Sequence, residues 1–138
     1  LIYIFNKAYK AYSVGMGNPH LIIPVENLKE IDITKLGPIL EMDSNFPEKT
    51  NVHFIEIDNQ SRVNLLVWER GAGITLACGT GACASFVAAF KLGLTNNHSI
   101  VSLPGGDLSI SWPDEDSAIK MTGPANLVYK GRIDIDSF

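Results

Sequence analysis

The stretch Trp68–Lys91, WERGAGITLACGTGACASFVAAFK, constrains this chain more than any other. It reads as a strand end, a glycine-rich turn (Gly71, Ala72, Gly73), a cysteine at Cys78, a second small-residue turn (Gly79, Thr80, Gly81) and a helix running to about Leu92. Gly93 stands where a helix C-terminal glycine is expected. From Ala82 to Leu92 almost every side chain is apolar, and a helix that is apolar all round is buried on all sides. At about 1.5 Å per residue it spans on the order of 20 Å, the depth of a small domain, and it is too short to cross a bilayer. The pattern predicts an α+β fold in which a mostly antiparallel sheet wraps one buried central helix.

The rest of the chain supplies the strands. Leu1–Phe5 is apolar and β-prone, with no partner evident in the pattern; Ala11–Met16 reads as a strand ending in the turn MGNPH; Leu21–Val25 is a compact apolar strand. Asp32–Met42 has a helical pattern with Asp32 as cap, which Gly37-Pro38 is expected to break or restart. Asn51–Asp58 and Arg62–Arg70 alternate and, joined by Asn59–Ser61, predict a hairpin with Val52 and Phe54 opposed to His53, Ile55 and Ile57. Val63, Leu65 and Val67 share one face of the second strand, and Leu66 and Trp68 the other. Ser99–Leu103, Asp107–Trp112, Ala118–Thr122 and Asn126–Ile133 are expected as further strands, separated by Pro- and Gly-rich turns.

Composition narrows the classes of function. A chain of 138 residues suits a single domain over 1–138, and 46% apolar content argues against disorder. The net charge of −4, without a basic run, argues against nucleic acid or an anionic membrane as partner. Two cysteines five apart make no disulfide framework, which points to a reducing compartment, the cytoplasm. Leu1–Phe5 lacks the basic lead and long apolar stretch of a signal peptide; a start at Leu1 rather than Met suggests an upstream portion.

Cys78 is the first candidate for chemistry. At a helix start it meets the positive end of the dipole and unpaired backbone N–H groups, both of which favour thiolate, and the same groups can hold a carboxylate. Cys83 lies among Ala and Phe and reads as core; without further Cys or His at ligand spacing, no zinc site is expected. Glu69 and Arg70 end a strand at the mouth of the same turn, as ligand groups or as a solvated ion pair. Asn18 and Asn51 stand at strand–turn junctions, where asparagine is common anyway, and His20 is either a proton-transfer neighbour or a surface group.

Taken together, MGNPH (Met16–His20), FPEKTNVHF (Phe46–Phe54), WERGAGITLACGTGACA (Trp68–Ala84) and GPANLVYKGRI (Gly123–Ile133) resemble the C-terminal half of the diaminopimelate epimerases. Proline racemases and phenazine-biosynthesis isomerase-like proteins share that fold without this string. The resemblance implies a cofactor-independent, metal-free enzyme of lysine biosynthesis. Two cysteines on opposite faces of the substrate interconvert LL- and meso-diaminopimelate, because a single base returns the proton to the face it left. It makes Cys78 one of the two thiols, with Glu69 and His20 beside it in the proton-transfer machinery. Gly79 and Thr80 would offer N–H groups to the reacting carboxylate, Glu69 and Arg70 would bind substrate amino and carboxylate groups, and Asn18 and Asn51 would read the distal amino-acid end. Ile74 departs from the usual Glu of the pattern, and His53 follows Asn51-Val52 where other residues are more usual.

The family's other cysteine belongs to an N-terminal half with no counterpart here, and a buried Cys83 does not replace it. The expectation is a C-terminal domain of a two-domain epimerase, inactive alone and inclined to dimerise or aggregate through the face its partner domain would cover. Alternatives are another amino-acid or imino-acid racemase of the same fold, or a non-catalytic binding module.

Overall fold

A computed structural model describes residues 1–4 and 7–135. Phe5, the last residue of the first expected strand, lies outside them. Ile2–Ile4 (β1) pairs antiparallel with Lys7–Tyr9 (β2) as a separate ribbon. The body is one curled, mixed sheet. Its strands in chain order are Tyr12–Gly15 (β3), Pro19–Pro24 (β4), Asn51–Asn59 (β5), Arg62–Glu69 (β6), Gly73–Ile74 (β7), His98–Leu103 (β8), Gly106–Ser111 (β9) and Lys120–Thr122 (β10). Across the sheet they run β10-β9-β8-β6-β5-β4-β3, with the short β7 on β6. Two α-helices, Ile33–Glu41 (α1) and Gly79–Lys91 (α2), and a 3₁₀ turn at Leu28–Glu30 complete the described fold. No described helix is long and apolar enough to cross a membrane.

The sheet is mostly antiparallel, as expected, but mixed: β4 pairs parallel with β5, and β6 parallel with β8. Each parallel pair is bridged by a helix, α1 and α2 respectively, as a parallel connection requires. Such crossovers are right-handed. Both advance the same way along the sheet, but β5 and β6 are antiparallel, so the two helices must lie on opposite faces. The cores bear this out. Ile33, Leu36 and Leu40 of α1 pack with Leu21, Ile23, Val52 and Phe54. The opposite face sets Ile22, Ile55, Val63, Leu65, Val67, Val101 and Ile110 against Ala82, Cys83, Phe86 and Ala89 of α2. The alternation in β5 and β6 therefore sorts side chains as expected, Val52 and Phe54 to one face and Ile55 and Ile57 to the other. Helix α2 touches strands from β3 to β9.

Helix α1 continues through Gly37-Pro38, contrary to expectation. Proline removes one ladder bond, but Trp68 packs so tightly on Gly37 that a Cβ there would lie 2.4 Å from the indole, and this contact holds the helix in place. Asp32 occupies the N-cap position without capping through its side chain, which accepts from Thr34 Oγ1 instead (2.6 Å). The expected strand Asn126–Ile133 does not form: these residues are exposed, with Leu127, Val128, Tyr129 and Ile133 turned to solvent. Strand propensity needs a paired, half-buried surface, and these exposed residues pair with no strand among the described residues. The strand expected over Ala118–Thr122 shortens to Lys120–Thr122.

Candidate active site

Three strand ends meet at one edge of the sheet. The β4–β5 register sets His20 beside Asn51, and the β5–β6 register sets Val52 beside Trp68, which brings Asn51 level with Glu69. Gly71 and Gly73, at φ 77° and 80°, turn the chain back along β6 as β7 and lead it to Cys78. Register and turn together gather residues 18–20, 51–53, 69–70 and 78–81.

Cys78 is the N-cap of α2, and the helix already begins at Gly79, so the residues expected as a turn form its first turn. Its Sγ accepts from Gly81 N–H at 3.4 Å and lies 3.7 Å from Thr80 Oγ1. Among the described residues the backbone amides of Gly79 and Thr80 take no partner, as the first turn of a helix leaves them. The thiol is not the low-pKa group the helix dipole suggests. Burial pushes it up from its ordinary value; Gly81 N–H and Thr80 draw it down; the nearby Glu69 carboxylate raises it further. Cys83 is also raised by burial, and its Sγ meets Met121 Sδ at 3.9 Å, as a packed core residue should.

Glu69 Oε1 accepts from Thr75 Oγ1 at 2.5 Å, which anchors the carboxylate beside the thiol. Arg70 is exposed and donates from Nη1 to Glu48 O at 2.9 Å. Asn51 binds the backbone on both sides: Nδ2 donates to Pro19 O at 2.9 Å, and Oδ1 accepts from Arg70 N–H at 3.0 Å. It thus ties the start of β4 to the end of β6. His20 is buried, not superficial, with Nε2 2.8 Å from Asn18 Oδ1 and Nδ1 2.8 Å from His53 Nε2. Burial lowers the His20 pKa from 6.5 to about 4, Glu69 opposing and Arg70 assisting. It lowers that of His53 to about 3, with the neighbouring His20 adding to the effect. Both rings are neutral at pH 7.

All the residues singled out in the sequence lie in this cluster, though Thr80 and Arg70 stand at its exposed rim. Two contributors are given no role by the sequence, although His53 stands out there as a departure from the family pattern. His53 is wholly buried against Gly81, where a Cβ would fall 2.2 Å from His53 Cε1 and 3.0 Å from Cys78 Sγ, so only glycine fits. Its place in the β5 alternation, two residues after Asn51, was the available signal. Glu41, at the end of α1, accepts from Trp68 Nε1–H (2.8 Å) and Gly71 N–H (3.2 Å), with Lys49 Nζ at 3.6 Å, and so fixes the turn leading to the thiol. These donors hold its carboxyl below the usual range, Trp68 most of all, against a smaller opposing effect of burial. Ile74, in place of the usual Glu, is exposed in β7, where it pairs with Trp68. Among the described residues no three His, Cys, Asp or Glu side chains are placed to hold a metal ion.

The fold has relatives among solved structures. Phenazine biosynthesis proteins of the PhzF family match with TM-score 0.61 at 16% identity for that of Enterococcus faecalis (78% of this chain, 41% of that one). The Bacillus anthracis protein gives TM-score 0.56 at 18% identity (82% and 37%). The sequence is more specific. The profile described as Diaminopimelate epimerase matches residues 12–128, and the chain belongs to that family. It is 55% identical over 119 residues to the diaminopimelate epimerase of Prochlorococcus marinus (strain MIT 9313), covering 86% of this chain and 39% of that protein. It is 52% identical over 130 residues to the one from Halothermothrix orenii, covering 94% and 45%. The chain thus spans less than half the length of these curated relatives.

Proposed function

We propose that residues 1–138 are the C-terminal domain of a two-domain, cofactor-independent epimerase that interconverts LL- and meso-diaminopimelate in cytoplasmic lysine biosynthesis. Family membership and partial coverage support the reading. The observation that carries it is Cys78 at the start of α2, its sulfur beside the free amides of Gly79 and Thr80.

A carboxylate held by those amides places its α-carbon over the thiol. As the α-proton leaves, charge develops on the carboxylate, where fixed N–H donors stabilise it without reorganisation. Cys78, held protonated by burial and by Glu69, delivers its proton to one face while a thiolate of the other domain removes the α-proton from the opposite face. In the reverse direction Glu69 is near enough to receive the Cys78 proton. Glu69 and Arg70 bind the substrate amino and carboxylate groups, and Asn18 reads the distal end. Asn51 retains one amide hydrogen and one lone pair for the distal end beyond its two backbone bonds. His20 supports Asn18 beside the thiol.

The contact of α2 with strands from β3 to β9 supports its reading as the central helix around which the curled sheet wraps. The exposed Leu127, Val128, Tyr129, Ile133 and Ile135 supply an apolar face for the partner domain, or for a second copy of the chain in its absence.

The test is α-proton exchange of diaminopimelate in D₂O, followed by NMR on this chain alone. No exchange fits half an enzyme. Exchange with retained configuration would make Cys78 a one-face base. Inversion would mean that the second acid lies within this chain and would overturn the proposed division.

A further inference from the structure

We propose that His53 is a positioning residue: its Nε2–H fixes which nitrogen of His20 carries the proton and, through His20, which edge of the Asn18 carboxamide faces the site. Counting hydrogens fixes the direction of the chain of bonds. Asn18 Oδ1 only accepts, so the nitrogen 2.8 Å from it, His20 Nε2, must carry the hydrogen. A neutral ring has one N–H, which leaves His20 Nδ1 as a lone pair facing His53 Nε2 at 2.8 Å. His53 Nε2 must then be the donor, and His53 Nδ1 a bare lone pair. That atom is buried with no hydrogen-bond partner.

Reversing the chain would turn the Asn18 amide around and put the orphan hydrogen on His53 Nδ1. A buried unmet donor is rarer in proteins than an under-used acceptor, so the observed direction wins. Packing against Gly81 keeps the His53 ring from rotating out of this arrangement. With Oδ1 held inward, Asn18 offers its amide hydrogens, a donor edge suited to a carboxylate oxygen and unsuited to an ammonium. This last step rests on Asn18 as a ligand-reading residue; the tautomer order does not.

The test is the two-bond ¹H–¹⁵N NMR spectrum of the histidines in this chain at pH 7, without substrate. The expected result is a proton on Nε2 of both His20 and His53. His53→Gln, which keeps a donor near the same place, should leave His20 in its Nε2–H form. His53→Leu, which removes the donor, should give His20 as a mixture of tautomers. A proton on Nδ1 of His20 in the parent chain, or an unchanged His20 spectrum in folded His53→Leu, overturns the proposal. If His53→Leu does not fold, the parent and His53→Gln spectra decide. The readout is separate from catalysis: the expected tautomers in a chain whose Cys78 proves irrelevant to epimerisation would sink the functional reading and leave this one standing.

Discussion

Lowering the pH from 7.5 to 5 should destabilise this chain sharply through His20 and His53. Both rings are fully buried, and their folded pKa values, about 4 and about 3, lie well below the ordinary 6.5. The unfolded chain therefore binds more protons across the window from 6.5 down to those values, and stability falls as pH falls through it. At pH 5 an unfolded histidine of pKa 6.5 is almost wholly protonated while neither buried ring is. The linkage relation gives a loss of about 2 kcal/mol for each, about 4 kcal/mol together. The figure barely depends on how far below 5 the folded values lie. It is a large share of the roughly 5–15 kcal/mol that holds a typical domain together. The window is otherwise quiet among the shifted groups: Glu41, Asp32 and Asp107 are displaced downward from 4.5 and 3.8, and both cysteines upward from 9.0. Urea titrations at the two pH values read the effect; with m about 2 kcal/mol/M, the midpoint should drop by about 2 M at constant m. Most of the drop should vanish in a folded His20→Asn/His53→Gln variant. A midpoint that moves by less than about 0.5 M, or that moves equally in the variant, refutes the neutral buried pair.

Two further perturbations follow from the same geometry. Glu41→Gln exchanges a carboxylate that accepts from Trp68 and Gly71 for an amide that satisfies only one of them well, and should cost about 2–3 kcal/mol in urea denaturation with an altered Trp68 near-ultraviolet signal; an unchanged midpoint would remove Glu41 from its part in holding the turn. Thiol labelling followed by mass spectrometry should be slow for both buried cysteines at pH 7 and accelerate with rising pH, with Cys78 ahead of Cys83 because Gly81 N–H and Thr80 stabilise only its thiolate. Earlier labelling of Cys83 would contradict that order.

Much of the fold is legible because periodicity reports which face a residue takes. The alternation of Val52, Phe54 and Ile55 sorts β5 between the two helices, and the apolar run of α2 supplies the Ala82, Cys83, Phe86 and Ala89 that pack against the sheet. Periodicity does not report which strand lies next door, so the parallel pairings β4–β5 and β6–β8 were hidden. Asn126–Ile133 carries a strand pattern without a ladder to join, and Gly37-Pro38 carries a breaker that Trp68 overrides; both outcomes depend on partners distant in sequence. In the site, the glycine turns and Cys78 stand out because backbone geometry demands those residue types locally. His53 and Glu41 act through contacts 33 and 30 residues away, to His20 and to Gly71 N–H, which the local sequence does not report. The helix dipole at Cys78 was readable, whereas the burial that outweighs it was not.

Everything proposed for the reaction turns on the Cys78 thiol. Residues 12–128 can replace the matching segment of the full-length Halothermothrix orenii relative, to which the chain is 52% identical, restoring an opposite domain. The chimera should epimerise diaminopimelate, and Cys78→Ser in it should lower kcat by about 10²–10⁴-fold, the range for loss of a positioned acid–base group, with substrate still bound. A Cys78→Ser chimera that epimerises at the parent rate would contradict the assignment of this thiol as one of the two that move the proton.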